Sequence, residues 1–397
     1  MSKWLDIVGV GEHGLANLPP GVQAIVAAAD TIIGPPRFAD GDPRHVPWQS
    51  PLSAMLDQID AQRGKPTLIL ATGDPMWFGI GATLAKRYGR DEIAIHTHPS
   101  AFQLAAARLL WPLQHVATIS LHGRPSEIIH AHIQPGNRIL ALTSDRSTAN
   151  SVAEILVDRG YGASLMTALE NLGAANERIS HADAEHFEAA TIGDFYVLAI
   201  DCVASDGAAL LPSVPGLPDQ AFVSDGQLTK REVRAASLAK LAPFPCAMLW
   251  DVGAGCGSIA IEWLRSARDC QAIAFEKSAT RLQLIATNAE ALGTPQLRIE
   301  SGDALSNLNG KPMPDAIFLG GDVGNRALFD GCWEALRPGG RLLANAVTVE
   351  GEVALFERQL SLGGDIVRIE TAVLDQIGRH RVLRPRMAVT QYLVTKP

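Results

Sequence analysis

Gly253, Gly255 and Gly257 stand at alternate positions, with Ala254 and Cys256 between them, after the apolar run Leu249–Val252 and before a helical pattern that begins at Ser258. A chain without side chains at those places turns sharply and brings its peptide groups close to a ligand, where a Cβ would collide. Glu276 closes the next apolar run. It lies about 20 residues further on, where an acid accepts the two hydroxyls of a ribose. Gly302-Asp303-Ala304 follows a short strand pattern, and Gly320-Gly321-Asp322 ends another. Asp303 suits a helix N-cap. The glycine loop and Glu276 together read as a pocket for an adenosine-bearing cofactor at the mouth of a parallel sheet. A dinucleotide loop would carry its third glycine at position 258, where this chain has serine, and that counts against a nicotinamide dehydrogenase.

The first half carries a second set. Val8-Gly9-Val10-Gly11-Glu12-His13-Gly14 has the look of a phosphate loop, but no acid stands at the ribose position, so it is not a second site of the same kind. Gly73-Asp74-Pro75 and Pro99-Ser100-Ala101 form two further turns, and His122 and Arg124 lie in Ser120-Leu121-His122-Gly123-Arg124. Trp77, Phe78 and Trp111 offer flat rings, either to the core or to a flat ligand. His96-x-His98 and His130-x-His132 could each share a strand face, yet no third ligand stands at useful spacing and no metal is expected. Gly378–Arg386 is the densest basic stretch, and Arg379, Arg381 and Arg384 within it suit either a solvated loop or a grip on carboxylates.

The elements that must position these groups alternate. Runs at 5–10, 67–71, 138–142 and 196–200 read as strands, and 100–110 and 147–159 as helices with Ser100 and Ser147 at the N-caps and Gly160 past the end of the second. This is α/β order. A chain of 397 residues suits two domains. The proline- and glycine-rich stretch 204–224 reads as a linker between a domain at 1–203 and another at 225–397. Thr229 and Glu232 have the spacing of a capping box opening the second domain. Five cysteines without a Cys-x-x-Cys pair read as small core residues. A net charge of −8 argues against a surface built for nucleic-acid phosphates, and no apolar run reaches membrane length. The start runs straight into a strand pattern without the profile of a secretion signal, so a cytoplasmic location is expected.

Residues 229–397, with the glycine loop, Glu276, Gly302-Asp303-Ala304, Asp315–Gly321 and the Pro338-Gly339-Gly340 turn, resemble the Rossmann-like class I S-adenosylmethionine methyltransferases. That resemblance implies a glycine loop at 253–257 under the methionine part of the cofactor, Glu276 on the ribose, Asp303 and Ala304 at the adenine, and Thr229 as a further cofactor contact. Residues 4–203 resemble the tetrapyrrole methylases, a separate α/β family of two subdomains that uses the same cofactor. Gly73 and Asp74, with Ser100 and Ala101, are then expected at the cofactor, and the first loop in the substrate cleft. That family has Gly-Pro-Gly where this chain has Gly11-Glu12-His13-Gly14.

The two families fused in this order resemble the bifunctional precorrin methyltransferases of aerobic cobalamin biosynthesis. The implied reaction methylates precorrin-6B at carbons 5 and 15 and decarboxylates its ring C acetate, giving precorrin-8, with one S-adenosylmethionine per domain. Carbon 15 and the decarboxylation are expected in the C-terminal domain and carbon 5 in the N-terminal one. A homo-oligomer, dimer or tetramer, is also expected. Methyl transfer to an electron-rich carbon needs few acids or bases, and none is assigned. Arg379, Arg381, Arg384, His122 and Arg124 are the candidates to hold substrate. An RNA methyltransferase is the main rival, and it would require a basic groove. A scaffold with one inactive domain is another, and would bind one cofactor per chain.

Overall fold

The computed structural model describes residues 3–39, 41–49 and 51–397, and the chain divides into two compact units. The first comprises residues up to Arg124 together with Pro135–Ala208. Its first sheet contains β1 (Leu5–Val10), β2 (Thr31–Gly34), β3 (His45–Pro47), β4 (Thr67–Thr72) and β5 (Ile93–His96), all parallel, in the order β3-β2-β4-β1-β5. β1 and β4 are almost wholly buried, as expected of central parallel strands covered on both faces. Helices α1 (Pro20–Ala28), α2 (Pro36–Ala39), α3 (Leu52–Asp60) and α4 (Ile80–Arg87) connect the strands.

The second sheet of this unit is mixed. β6 (Val116–Ser120), β7 (Arg138–Leu142), β8 (Leu165–Glu170), β9 (Arg178–Asp183) and β10 (Tyr196–Asp201) lie in the order β6-β7-β10-β8-β9. α5 (Ala101–Leu109) starts at Ser100, whose hydroxyl accepts from the Gln103 amide while the Gln103 side chain accepts from Ser100 N, a complete capping box. α6 (Arg146–Asp158) starts earlier than Ser147. Asp145 is its N-cap, with its carboxylate accepting from Ser147 N at 2.7 Å.

The second unit comprises Pro125–Gln134 and Ala209–Pro397. Seven of its strands are β11 (Met248–Val252), β12 (Gln271–Glu276), β13 (Arg298–Ser301), β14 (Ala316–Leu319), β15 (Arg341–Ala346), β16 (Asp365–Ile369) and β19 (Val389–Thr395). They form one sheet in the order β13-β12-β11-β14-β15-β19-β16, in which β19 alone runs antiparallel to both its neighbours. A separate hairpin of β17 (Ala372–Ile377) and β18 (His380–Pro385) precedes β19. The helices are α7 (Arg231–Leu241), α8 (Ser258–Ser266), α9 (Ala279–Ala291), α10 (Ala304–Asn307), α11 (Arg326–Ala335) and α12 (Val349–Leu362). The strand order turns back between β11 and β14, which places the ligand crevice outside their carboxyl ends.

Three expectations need correction. The stretch around 204–224 is not a loose tether throughout: Leu211, Leu217 and Phe222 are buried in the core that also holds Leu249 and Trp263. Their fixation has a polar cause. Arg234 on α7 and Glu262 on α8 are 0% and 2% exposed and bonded at 2.6 Å. The Glu262 carboxylate also accepts from Gly216 N and Leu217 N, and Arg234 donates to the Leu217 and Thr229 carbonyls. Thr229 therefore does not cap α7; Lys230 holds that position without a side-chain bond, and Glu232 pairs with Arg386. Of the five cysteines, Cys246 is exposed and the other four are buried. No helix among the described residues is long and apolar enough to cross a membrane.

Removing one partner of a buried ion pair leaves an uncompensated charge and costs about 3–5 kcal/mol, whereas replacing both by apolar residues of similar size is often neutral. Glu262→Ala is expected to lower the stability of the second unit by that amount in urea unfolding followed by amide exchange of β11, and Arg234→Met with Glu262→Leu to recover most of it.

Candidate cofactor and substrate sites

A cavity of about 760 Å³ opens at the carboxyl ends of β11, β12 and β14. Thr229, Gly253, Ala254, Gly255, Cys256, Glu276, Asp303 and Ala304 all lie on its wall, so the structure brings eight of the nine residues expected there to one place. Gly257 does not line it. With φ of +83° it opens α8, and a Cβ there would meet Ile285 at 3.0 Å, so this glycine serves close packing of α8 on α9. The loop is held in several ways. Glu276, 5% exposed, accepts from Gly255 N at 2.9 Å with one oxygen and from Lys277 N and Ser278 N with the other. A carboxylate has about four acceptor positions, so capacity remains for a ribose hydroxyl. Asn288, also buried, donates to the Cys256 carbonyl and both donates to and accepts from Val223, tying the loop to the segment leading into α7. Asp303 caps α10 through Ser306 N and lines the cavity as well, so both roles suggested for it are compatible.

Sequence reasoning missed Asp251. It sits near the end of the buried strand β11, is 1% exposed, and accepts from Ala260 N at 3.0 Å through one oxygen. Its other oxygen has no protein partner. Burial, with a smaller contribution from the Glu276 charge, pushes its carboxyl up to about 7. The signal was present: an acid interrupting Leu249-Trp250-Asp251-Val252 in a strand otherwise suited to full burial. An orphan carboxylate oxygen beside a glycine cradle fits a cofactor that brings positive charge.

Substrate candidates fare differently. Arg379, Arg381 and Arg384 lie on the β17–β18 hairpin, exposed and off the cavity wall, with Arg384 paired to Asp375 at 2.8 Å. Arg386, just beyond the hairpin, is on the wall, together with Lys230, Asp322 and Asn345. Arg386 lies past the end of β18, and the sequence alone does not show where the hairpin ends.

In the first unit, Gly73 has φ of +66° and faces Ser100 and Ala101, with a Cβ there 3.4 Å from the Ser100 backbone. These expected cofactor residues are therefore neighbours. The Asp74 carboxylate accepts from Met76 N within its own turn. Gly9 is required by contact, since a Cβ would lie 2.3 Å from the Gly73 carbonyl. The first loop and the 73–75 turn thus meet at the carboxyl ends of β1 and β4. His122 Nδ1 lies 3.1 Å from the Thr143 carbonyl, a backbone contact. Arg124 is exposed, its guanidinium 5.8 Å from the centre of the exposed Phe78 ring. Trp77 and Trp111 pack against the core that includes Phe102 and Leu140, whereas Phe78 is 44% exposed. His96 bonds Asp6 at 2.8 Å.

Comparison with known proteins gives two family matches: residues 5–188 match the tetrapyrrole (corrin/porphyrin) methylases, and residues 220–396 a precorrin methyltransferase domain. A precorrin-6Y C(5,15)-methyltransferase [decarboxylating] from Sinorhizobium sp is 41% identical, with 100% of this chain and 97% of that protein covered. Two shorter proteins from Salmonella typhimurium are each 31% identical over part of the chain. A cobalt-precorrin-7 C(5)-methyltransferase covers 44% of this chain and 88% of its own length, and a cobalt-precorrin-6B C(15)-methyltransferase (decarboxylating) covers 41% and 85%.

The Asp251 carboxyl supplies a test of the cavity. Its folded value lies above the ordinary 3.8, so the protonated acid favours the fold: this contribution is full below 3.8 and is lost as pH rises through about 7. Asp251→Asn keeps the bond from Ala260 N and removes the ionisation. The variant is expected to exceed the natural chain in stability at pH 8 by roughly 1–3 kcal/mol and to show no such advantage near pH 4, as read from urea midpoints. Parallel pH profiles would reject this account of Asp251.

Proposed function

The chain belongs to the precorrin-6Y C(5,15)-methyltransferase (decarboxylating) family, and from that premise we propose that it methylates precorrin-6B, also called precorrin-6Y, at carbons 5 and 15 and decarboxylates the ring C acetate to give precorrin-8. The observation that carries this reading is the 41% identity over 97% of a full-length relative, which spans both units. S-adenosylmethionine is the methyl donor; when bound, it supplies an electrophilic methyl group on a positively charged sulfur. We assign one cofactor to each domain, taking 1–203 and 225–397 as the catalytic domains joined through 204–224.

In the second unit Gly253 to Cys256 would lie under the methionine part, Glu276 would take the ribose, and Asp303 and Ala304 the adenine, with Thr229 at the opening. Asp251, with one carboxyl oxygen free of protein partners, would face the positive end of the cofactor. The first unit would use Gly73, Asp74, Ser100 and Ala101. The two Salmonella relatives, one named for carbon 5 and the other for carbon 15 with decarboxylation, each match less than half of the chain. That separability supports assigning carbon 15 and decarboxylation to the second unit and carbon 5 to the first.

The chemistry asks little of protein acids and bases. An electron-rich macrocycle provides the nucleophilic carbon, and the protein contributes alignment and a water-poor pocket. After methylation at carbon 15 the conjugated ring system is electron-poor, so the electrons of the acetate C–C bond can flow into it as carbon dioxide leaves. Arg386 and Lys230 would grip other carboxylates of the substrate in the second unit, and Arg124, with His122 beside it, those in the first. The hairpin residues Arg379, Arg381 and Arg384 would reach substrate only outside the cavity. An RNA acceptor fits less well, because the cavity wall sets Asp251, Glu276, Asp303 and Asp322 against Lys230, Lys277, Arg281 and Arg386 and is not basic. A cytoplasmic homo-oligomer completes the reading.

Two glycine variants separate the sites. Gly253→Val forces a side chain onto a φ of +74° beside Gly321, and Gly73→Val does the same at +66° beside Ser100. With precorrin-6B and S-adenosylmethionine, mass spectrometry is expected to show two methyl gains and loss of carbon dioxide for the natural chain. Gly73→Val should give one methyl gain with that loss, and Gly253→Val no carbon dioxide release. Carbon dioxide release by Gly253→Val would overturn the division.

A further inference from the structure

The first loop departs from the family it resembles, with Glu12 where Gly-Pro-Gly would place proline, and the structure shows what takes over. Arg37, the second residue of α2, reaches the loop with Nη1, 2.9 and 3.2 Å from the two Glu12 oxygens. Its Nη2 donates to Thr72 Oγ1 at 3.0 Å, and Thr72 directly precedes Gly73 and Asp74. The guanidinium also lies 4.6 Å from the centre of the Phe38 ring and 5.2 Å from that of Phe195, a ring 53% exposed. One side chain thus joins the first loop, the segment after β2, the end of β4 and the approach to β10.

As a stabilising device this arrangement is weak. Arg37 and Glu12 are 39% and 20% exposed, and ion pairs so open to water contribute between nothing and about 1 kcal/mol. As a binding device it is well made. Arginine has five donors in a fixed plane, and these contacts leave some of them for an incoming group. Glu12 and Thr72 fix the plane of the fork, and Phe195 beside it offers an apolar face. Arg124 over Phe78 repeats the pattern in the same unit. A cation held against an exposed ring suits a ligand that is flat in the middle and anionic at its edge. The carboxyl ends of β1, β2 and β4, where Arg37 sits, are also where an open parallel sheet takes its ligand.

We propose that Arg37, oriented by Glu12 and Thr72, binds a peripheral carboxylate of the tetrapyrrole in the first unit and so positions the acceptor for methylation at carbon 5. This deepens the function proposed above and rests on it. Glu12 is a positioning residue in this scheme, because it acts through Arg37.

The test uses the full chain and the decarboxylated tetrapyrrole already methylated at carbon 15, so that only the carbon 5 step is read. Arg37→Ala is expected to raise the KM for this acceptor at least about tenfold, with kcat changed far less and the KM for S-adenosylmethionine unchanged. Carbon dioxide release from precorrin-6B by the same protein, at the other site, should stay at its natural rate. Glu12→Gln should raise the acceptor KM by a smaller factor. An unchanged acceptor KM in Arg37→Ala, or a rise in the cofactor KM instead, overturns the proposal. If carbon dioxide release also falls, Arg37→Lys decides, since it keeps the charge and loses the fork. A raised acceptor KM with normal carbon dioxide release supports the assignment, and natural values for both overturn it. Failure of the functional reading looks different: the natural chain itself would then methylate neither acceptor.

Discussion

The second unit depends on one ion pair that water cannot reach. Arg234 and Glu262 meet between α7 and α8, and their other bonds go mostly to backbone: Glu262 accepts from the amides of Gly216 and Leu217, and Arg234 donates to the carbonyls of Leu217 and Thr229 and also to the Asp219 carboxylate at 3.3 Å. A buried pair is tolerable only when its donors and acceptors are occupied, and here backbone groups and Asp219 supply those partners. Phe222 lies over the guanidinium, 4.7 Å from its ring centre, so the aromatic residue of the leading segment is seated by the same charge. The consequence reaches the cavity. Thr229 stands on the wall because its carbonyl is held, and the glycine loop keeps its place against Gln227 and Val223 because the segment carrying them is anchored on either side.

A second constraint is the backbone around the ligand. Glu276 spends three of its acceptor positions on Gly255, Lys277 and Ser278 before any ligand arrives. This fixes both the loop and the carboxylate, so little reorganisation is left for binding. The first unit reaches a similar end by other means. There Gly9 and Gly73 touch backbone to backbone, and the rigidity that a proline would give the first loop is replaced by the pairing of Glu12 with Arg37. An ion pair holds less firmly than a ring but carries charge, which a proline cannot offer to a ligand.

Much of this was legible from residue types. Alternating glycines after an apolar strand, an acid at the end of the next strand, and a Gly-Asp-Ala turn each have a local cause, and local causes survive folding: all but Gly257 line the cavity. Strand limits at Leu5–Val10 and Arg138–Leu142 were readable for the same reason. What was not legible depends on long-range pairing. The segment from Leu211 to Phe222 looks like a linker by composition, and only Arg234, Glu262 and Arg265, distant in sequence, convert it into core. The capping box at Thr229 fails because Arg234 takes the threonine carbonyl and shifts the helix start to Arg231. Arg386 is not distinguishable from Arg379, Arg381 and Arg384 in the sequence, because what brings it to the cavity is the end of β18 at Pro385, which no local residue pattern marks.

The distribution of charge in the cavity also bears on how one site can methylate and decarboxylate. A carboxylate that must leave as carbon dioxide is poorly served by a strong cationic partner, because such a partner stabilises the ground state more than the transition state, in which that charge has moved into the ring system. Other carboxylates of the same substrate need cations, because they must be held still. A site for both steps should therefore keep its cations away from the leaving carboxylate; on this wall Asp251 and Glu276 are buried, whereas Lys230, Arg281 and Arg386 are only partly buried. Arg386 stands just outside the hairpin, paired weakly with Glu232 and Asp219 at 3.4 and 3.9 Å, while Asp251 lies fully buried at the base of the glycine loop. The same separation serves the cofactor, whose positive sulfur is drawn to the acidic end.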